Sequence, residues 1–413
     1  MKCIRLCTVL ILFALSFYRL NAQEGMESLN TSIRSFGVLP ENSAELNKVN
    51  LQKAIDWAAA RGAVLFVEPS ENPYEVSGGI VLKKNVSLIG VHGPVPRGTR
   101  HPDKKQPVGS VFAIRDSVLP FITVESSTQI KGIQFWYPDQ SLSDPTRIIS
   151  YPPAIQVSKT SGTEGVTLSS LTFYGEYIAM DFNASQQHAC ELILIEHCHG
   201  YPLSGEFIRI DYCYDIPRIL HCHVNPAIQR QLGGQFSKEI IDAVVLKQKF
   251  TYSINHTDNA EVIDVFTFGN YGGIRLGEAT YGQLTNFNFD CVTVGIFKSG
   301  DNSKNRNWMI SQGSIIANTG KKVEDVHPFI IEGKGHTSVS NVEAFSGDNP
   351  ALTNFGMSWD YMTIRGKDKC SISLSGCRMR DYKSDQPLSI LNKNAVIQVT
   401  GCIDKAEKPY ILK

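Results

Sequence analysis

Two carboxylates and two guanidinium groups lie close together in the middle of the sequence, at Arg209, Asp211, Asp215 and Arg218. Paired carboxylates can act as acid and base, or as acid and nucleophile, when a glycosidic bond is hydrolysed. A base beside a charge-neutralising group can instead remove a proton next to a uronate. We therefore take Asp211, Asp215 and Arg218 as candidate catalytic residues and Arg209 as a candidate substrate contact. The alternative is an ordinary ion-pair cluster on a surface turn.

Acidic residues on neighbouring segments extend this candidate site. Asp264 lies on the next recognisable unit of the sequence and is a further catalytic candidate, while Glu176 and Asp181 on the preceding unit could project onto the same side. If such units stack, groups one or two units apart are separated by about 5 or 10 Å. These separations bracket the carboxylate spacings of retaining and inverting hydrolases.

The stretch "EHCHGYPLSGEFIRIDYCYDIPRILHCHV", from Glu196 to Val224, contains His-Cys-His twice, and its two central cysteines are 222 − 198 = 24 residues apart. If this distance is one turn of a solenoid, Cys198 stacks on Cys222 and His199 lies beside His223. Alternation then places the cysteines inside and the histidines outside, where His199 and His223 could contact a glycan. The alternatives are a transition-metal site on the imidazoles, a purely structural ladder and a disulfide between the two cysteines.

Aromatic residues form a second candidate binding feature. The stretch "FWYPDQ" contains Trp136 and Tyr137, and a further ring follows at Tyr151, beside two prolines. Sugar rings stack on exposed aromatic faces, so these three side chains are candidate substrate contacts. The alternative is that the loop folds down and its rings join the core.

The chain repeats a short pattern along most of its length. Segments such as "VTLSSLTFYGEYIAMDFN" from Val166, "PRILHCHVNP" from Pro217 and "ISLSGCRMRD" from Ile372 each open with a short alternating strand and pass through a small, polar or Cys residue. The unit is about two dozen residues long, which is typical of a solenoid. Short strands without intervening helices predict an all-β parallel β-helix. A β-sandwich is the alternative, although its strands need not repeat at this period.

One helix and one excursion interrupt this repeat. Apolar residues at helical spacing predict an amphipathic helix at about 46–61 that caps the first coil. A partly helical segment at about 227–258 is predicted to pack outside the solenoid. Residues 1–22 read as a secretory signal peptide, because a basic start precedes a short apolar run. The remaining residues, 23–413, are then one domain, secreted or periplasmic.

Charge and composition exclude several classes of protein. The chain has 40 basic and 40 acidic residues. Without Lys2, Arg5 and Arg19 of the predicted signal peptide the balance is 37 − 40 = −3, so nucleic acid is not an expected partner. No later segment is apolar over the roughly 20 residues that a membrane span needs, so membrane insertion is not expected either.

The order of elements from Ser32 to Val91, "SIRSFGVLPENSAELNKVNLQKAIDWAAARGAVLFVEPSENPYEVSGGIVLKKNVSLIGV", resembles the opening of the pectate-lyase-like superfamily of right-handed parallel β-helices. Those proteins begin with the same succession of strand, capping helix and two further strands. The resemblance implies a right-handed β-helix and a polysaccharide or oligosaccharide partner, although the fold also serves tailspikes and adhesins.

The sequence departs from the motifs of individual families within that superfamily, so no catalytic role is transferred residue by residue. The chain is similar in architecture to family 28 glycoside hydrolases, but none of their motifs occurs intact, and His256-Thr257-Asp258 is only a near match. Calcium-dependent pectate lyases use carboxylates on adjacent coils and a basic proton acceptor, which Asp211, Asp215 and Arg218 could imitate. The expected cofactor is therefore none, or calcium, and no protein-bound metal site is assigned.

Two functional hypotheses follow. The first is an exported polysaccharide-degrading enzyme, either a glycoside hydrolase or a polysaccharide lyase, that acts in a groove along the β-helix. The second is a noncatalytic glycan-binding or adhesion β-helix. The first predicts turnover that Asp215→Asn abolishes without loss of binding, and the second predicts no turnover.

Overall fold

The computed structural model describes residues 30–93, 106–230, 237–302, 306–346 and 356–412. The predicted signal peptide, residues 1–22, lies outside these ranges. The described chain winds into a right-handed parallel β-helix, as predicted, and every pairing between its named strands is parallel. Each complete coil contributes a strand to each of three ladders that run the length of the solenoid.

The first ladder contains the strands Asn30–Ser32, Val64–Phe66, Ser87–Ile89, Thr128–Lys131, Thr163–Ser169, Cys190–Glu196, Cys213–Tyr214, Arg218–Leu220, Ala260–Ile263, Gly282–Thr285, Cys370–Ser375 and Ala395–Thr400. The second ladder contains Tyr74–Val76, Val111–Ile114, Gln134–Trp136, Thr172–Tyr174, His199–Gly200, His223–Val224, Phe266–Phe268, Asn288–Val292 and Arg378–Met379. Two long strands, Asn307–Ala317 and Gly335–Phe345, run through both and join them into one sheet of 23 strands.

The third ladder is a separate sheet of 11 strands. Its members are Ile80–Leu82, Ile122–Val124, Ile155–Val157, Met180–Asn183, Ile208–Asp211, Phe250–Ile254, Gly272–Leu276, Val294–Lys298, His327–Ile331, Met362–Ile364 and Leu388–Ile390. Alternate residues of each strand enter the interior, where apolar side chains stack from coil to coil. The rings of Phe135 and Phe173, for example, lie 5.0 Å apart and nearly parallel.

A sharp bend separates the first ladder from the second. One residue per coil makes this bend in the left-handed backbone conformation, including His197 (φ 52°), His221 (φ 54°) and Asp264 (φ 53°). The residue after the bend returns to the interior, which buries Cys198 and Cys222. The predicted inward stacking of the two cysteines is therefore confirmed. Both are free thiols, so they do not form the disulfide that was the alternative.

The capping helix spans Ala44–Ala59, two residues earlier at each end than predicted. Ser43 sets its start, because the Ser43 side chain accepts a hydrogen bond from the Leu46 N–H. Its buried face includes Leu51 and Ile55, as the helical spacing predicted, and it covers the open end of the solenoid. Short 3-10 turns lie at Ile33–Phe36, Pro145–Arg147 and Val323–Asp325.

The predicted excursion is shorter than expected. Its helices are Ala227–Arg230 and Lys238–Leu246, whereas Phe250–Ile254 is a regular strand of the third ladder. The longer helix packs through Ile240, Ile241 and Val244. The strand was missed because its apolar residues follow the helical segment without a Gly or Pro boundary. In the described parts of the chain, no helix has the length and apolar character of a membrane span.

Candidate functional site

The charged residues predicted as one catalytic cluster lie on different faces of the coil. Arg209 is on the third ladder and pairs with Asp181 at 3.0 Å, while Asp211 Oδ1 lies 2.8 Å from His256 Nδ1. Asp215 is exposed at a left-handed turn (φ 50°) beyond the corner between the third and first ladders. The prediction of a single cluster is therefore wrong, because the chain turns that corner within the segment.

The other predicted acidic and basic residues are also dispersed. Arg218 lies on the first ladder, where it pairs with Glu261 of the next coil at 2.9 Å. Asp264 lies in the bend and its Oδ2 is 2.8 Å from His221 Nδ1. Glu176, which could have projected onto the same side, is instead fully buried. Of these residues, only Arg209 and Asp181 share one outer surface in direct contact.

The histidines of the two triplets stack along the solenoid as predicted. The rings of His197 and His221 are 4.8 Å apart, and His199 pairs in register with His223. His199 is only 4% exposed, however, and burial, with smaller contributions from His223 and His197, lowers its pKa to about 4. The prediction that His199 contacts a ligand in solvent is wrong. No group of three or more metal-ligating side chains occurs among the described residues.

The loop that contains the aromatic residues folds down onto the core, which was the alternative to exposed sugar contacts. Tyr137 and Tyr151 are each 3% exposed, and their rings are 4.6 Å apart. Burial also raises the pKa of Tyr137 well above its usual value. Trp136 is half-buried and packs against the core. The predicted sugar-stacking role of Tyr137 and Tyr151 is therefore wrong, since neither face is open to a ligand.

A cleft that sequence reasoning missed lies on the outer face of the third ladder. It has a volume of about 460 Å³ and is walled on one side by Val245 and Leu246 at the end of the excursion helix. Its apolar surface comes from Phe250, Tyr271, Val294, Phe297 and Ile330. These side chains form a cluster separate from the solenoid interior. Phe250, Val294 and Ile330 are buried within this cluster, so the aromatic surface open to a ligand comes from the half-buried Tyr271 and Phe297.

A histidine and a buried carboxylate stand at the edge of this cleft. His327 lines the cleft, and its Nδ1 lies 2.8 Å from Oδ1 of Asp360 on the next coil. Asp360 is fully buried and also accepts a hydrogen bond from Thr363 Oγ1 at 2.5 Å. Because the carboxylate accepts the Nδ1 proton, Nε2 is the ring nitrogen that carries the lone pair when His327 is neutral. A base held in place by a third group is the arrangement that proton-transfer catalysis needs.

Cationic and phenolic groups complete the lining. Arg365 binds Glu332 through Nε at 3.0 Å, and its guanidinium carbon lies 5.6 Å from the centre of the Phe297 ring. Burial, and then the nearby Asp325 carboxylate, raises the pKa of Tyr271, so its hydroxyl keeps its proton. The cleft therefore combines a base, a cation and a phenolic proton donor beside an aromatic surface.

Sequence reasoning missed the cleft because its residues come from five separate coils. Phe250, Tyr271, Phe297, His327 and Arg365 share no short motif. The signal available was the occurrence of aromatic or apolar residues at outward positions of successive strands, as in "VGIFK" at Val294–Lys298. This pattern identifies the cleft only when the register between neighbouring coils is known.

No protein-family model matches the sequence, and no curated protein matches it. Solved structures do match. A mutant tailspike protein of E. coli bacteriophage HK620, in complex with a hexasaccharide, is 11% identical with a TM-score of 0.59, over 91% of this chain and 66% of that one. DFA-IIIase from Arthrobacter chlorophenolicus is 11% identical with a TM-score of 0.55, over 85% and 88%. The A-module of a mannuronan C-5 epimerase from Azotobacter vinelandii is 14% identical with a TM-score of 0.49, over 92% and 100%. The likeness to the tailspike protein and to DFA-IIIase confirms the parallel β-helix fold.

Proposed function

We propose that the protein is an exported polysaccharide-degrading enzyme that binds its substrate in the cleft of the third ladder. The observation that carries the proposal is His327, held by buried Asp360, at the edge of an aromatic cleft. The complex of the tailspike with a hexasaccharide supports a glycan ligand for this fold. Export rests on the signal-like segment from Met1 to Ala22.

The groups in the cleft support elimination beside a uronate. In this reaction Nε2 of His327 takes the proton from the carbon next to the carboxylate. The bond between the sugar and the leaving oxygen then breaks, and the leaving oxygen receives a proton from the Tyr271 hydroxyl or from water. Arg365 binds the substrate carboxylate and stabilises the negative charge that develops on it. The products are a new nonreducing end with a carbon–carbon double bond and a free hydroxyl.

Hydrolysis is the second candidate reaction. Two carboxylates, Glu324 and Asp325, line the same cleft on the turn Val323–Asp325. They could act as the acid and base of a hydrolase. Elimination is the better supported reaction, because His327 has a dedicated orienting carboxylate and no described hydrogen bond orients either Glu324 or Asp325. Calcium is proposed only as an optional cofactor, as the comparison with pectate lyases implied.

The test is to incubate the purified chain with alginate, polygalacturonate, chondroitin and a set of neutral polysaccharides, in calcium and in chelator. Elimination gives new reducing ends together with ultraviolet absorbance from the unsaturated uronate, and hydrolysis gives reducing ends alone. His327→Gln should abolish turnover, and His188→Gln, at a turn distant in sequence from the cleft, is the matched control. Absence of both signals across the panel would refute the enzyme and favour a noncatalytic glycan-binding β-helix.

A further inference from the structure

A second groove lies on the opposite side of the coil, along the bend between the first and second ladders. Its volume is about 570 Å³. Its rim is the row of bend residues and its floor is the outer face of the second ladder. We call it the bend groove and define it by His223, Asp264, Phe266, Asn286, Asn288, Gln312, Ser314, Asn341 and Glu343.

Three side-chain amides form the rim of the bend groove, one on each of three successive coils. Asn286, Gln312 and Asn341 each follow directly after residues that pair in register, so they are neighbours about 4.8 Å apart along the solenoid. All three are exposed. Within the described residues, none of these amides makes a side-chain hydrogen bond, so their donors and acceptors are open to a ligand.

The bend itself does not require these amides. Gly376 and Gly401 occupy the same left-handed position on later coils (φ 63° and 64°) with no side chain at all. Asn is tolerated in this conformation, but Gln312 has no such preference and still adopts it (φ 55°). The row of amides is therefore more than the backbone geometry needs.

The floor of the groove adds an apolar surface and an unsatisfied acceptor. Phe266 is half-buried and stacks on the His223 ring with centroids 4.4 Å apart. The side-chain oxygen of Asn288 is buried and has no hydrogen-bond partner in the described part of the chain. A ligand hydroxyl would satisfy that oxygen if the Asn288 side chain turned toward the groove.

The carboxylates of the groove lie at its two ends and are held by partners within the protein. At one end the Asp264 carboxylate is hydrogen-bonded to the His221 ring, and at the other Glu343 pairs with Arg378 and Arg380 at 3.2 and 3.0 Å. Between the two ends the lining consists of amides, a hydroxyl, the His223 ring and apolar residues that include Phe266 and Phe287. This chemistry suits an uncharged ligand rich in hydroxyl groups, because the middle of the groove offers hydrogen-bonding groups and apolar surface but no charged side chain.

We propose that the bend groove is a second binding site, for a neutral glycan chain that lies along the solenoid axis. Successive sugar units meet successive amides, because the coils repeat at nearly the length of one sugar in an extended chain. The site would hold the protein on a neutral polymer while the cleft acts on an acidic one. This inference does not rest on the cleavage reaction, since the two sites differ in position and in the charge of their ligand.

The experiment is native electrophoresis of the purified chain through gels that contain dextran, xyloglucan or inulin, with alginate gels for comparison. At least one neutral polysaccharide should retard the wild-type protein, and the retardation should persist at high salt because no ion pairs are involved. The variant Asn286→Gly/Gln312→Gly/Asn341→Gly copies the glycines already present at Gly376 and Gly401, and it should bind at least tenfold more weakly. Gln398→Ala, an exposed amide on the first ladder, is the matched control.

Separate readouts distinguish this site from the cleft. His327→Gln should lose turnover and keep full retardation in the neutral gel, whereas the triple glycine variant should keep turnover on a short acidic oligosaccharide. Thermal unfolding checks that the triple variant folds, and each single glycine variant replaces it if it does not. Equal retardation of the wild-type and glycine variants would overturn the proposal, and so would failure of every neutral polysaccharide to retard the wild type.

Discussion

The Nδ1 atom of His327 lies 2.8 Å from Oδ1 of Asp360, a carboxylate on the next coil with no exposed surface. The pair joins two successive coils of the solenoid. Because Asp360 is an acceptor at this distance, it selects the tautomer of His327 that carries its proton on Nδ1. In a neutral His327 the unprotonated nitrogen is then Nε2.

Asp360→Asn should lower kcat by about 10²–10⁴-fold and change KM little, because the amide no longer fixes the required tautomer. The measurement is steady-state kinetics on the polysaccharide identified in the substrate panel. Asp385→Asn, an exposed residue outside the cleft, is the control. A purely structural role for the pair would instead lower the unfolding temperature and leave kcat of the folded fraction unchanged.

The stability of the protein should fall as pH rises through the range set by Glu176. This side chain is fully buried, and burial raises its pKa from 4.5 to about 8. Hydrogen bonds from the Tyr201 N–H and from Gln229 lower the pKa, but by less than burial raises it. Between these values the folded state holds a proton that the unfolded state has released, so the free energy of unfolding decreases with pH.

Thermal unfolding as a function of pH checks this prediction. The wild-type unfolding temperature should decline between about pH 5 and pH 8, and Glu176→Gln should remove most of that decline. Glu164→Gln, at an exposed position, should leave it in place. Identical pH profiles for wild type and Glu176→Gln would show that another group causes the decline.

Gly200→Ala should destabilise the fold without touching the cleft. A Cβ at this position would lie 2.4 Å from Oε1 of Glu176 and 2.6 Å from the ring of Phe207. Neither neighbour can move away, because both are buried, so we expect a loss of about 1–3 kcal/mol in the free energy of unfolding. Denaturant titration measures it. Gly93→Ala, with no atom within 4 Å, should be nearly neutral.

The cysteines should be unreactive in the folded protein. All eight in the described residues are buried and free, so a bulky reagent cannot reach their sulfur atoms in the folded state. A bulky aromatic disulfide reagent should therefore label none of them under native conditions and all of them in denaturant. A deficit of two thiols in denaturant would instead reveal a disulfide.

Local patterns predicted most of the fold correctly. The spacing of 24 residues between Cys198 and Cys222 identified the coil, and the alternation around them identified the inward face. These predictions succeeded because strand geometry places side chains on alternate faces wherever the strand lies. The boundaries of the capping helix were less exact, since the cap at Ser43 competes with the apolar pattern in setting its start.

The candidate site could not be predicted in the same way. Tyr137 and Tyr151 were plausible sugar contacts until their loop proved to fold onto the core, and the cluster from Arg209 to Arg218 was divided by a corner of the coil. Phe250 was assigned to an excursion, although its side chain forms part of the cleft. Each error concerns the position of a loop or of a corner of the coil. These positions depend on contacts between residues that are distant in sequence.

By itself, the sequence determined the repeating strands, the inward stack of cysteines and the cap on the first coil, because each follows from backbone sterics and the burial of apolar side chains within one or two coils. Only the tertiary structure decided which side chains meet across coils. The loops between strands differ in length, so the neighbours of His327 on the outer surface, including Arg365 and Tyr271, are set by register along the whole solenoid.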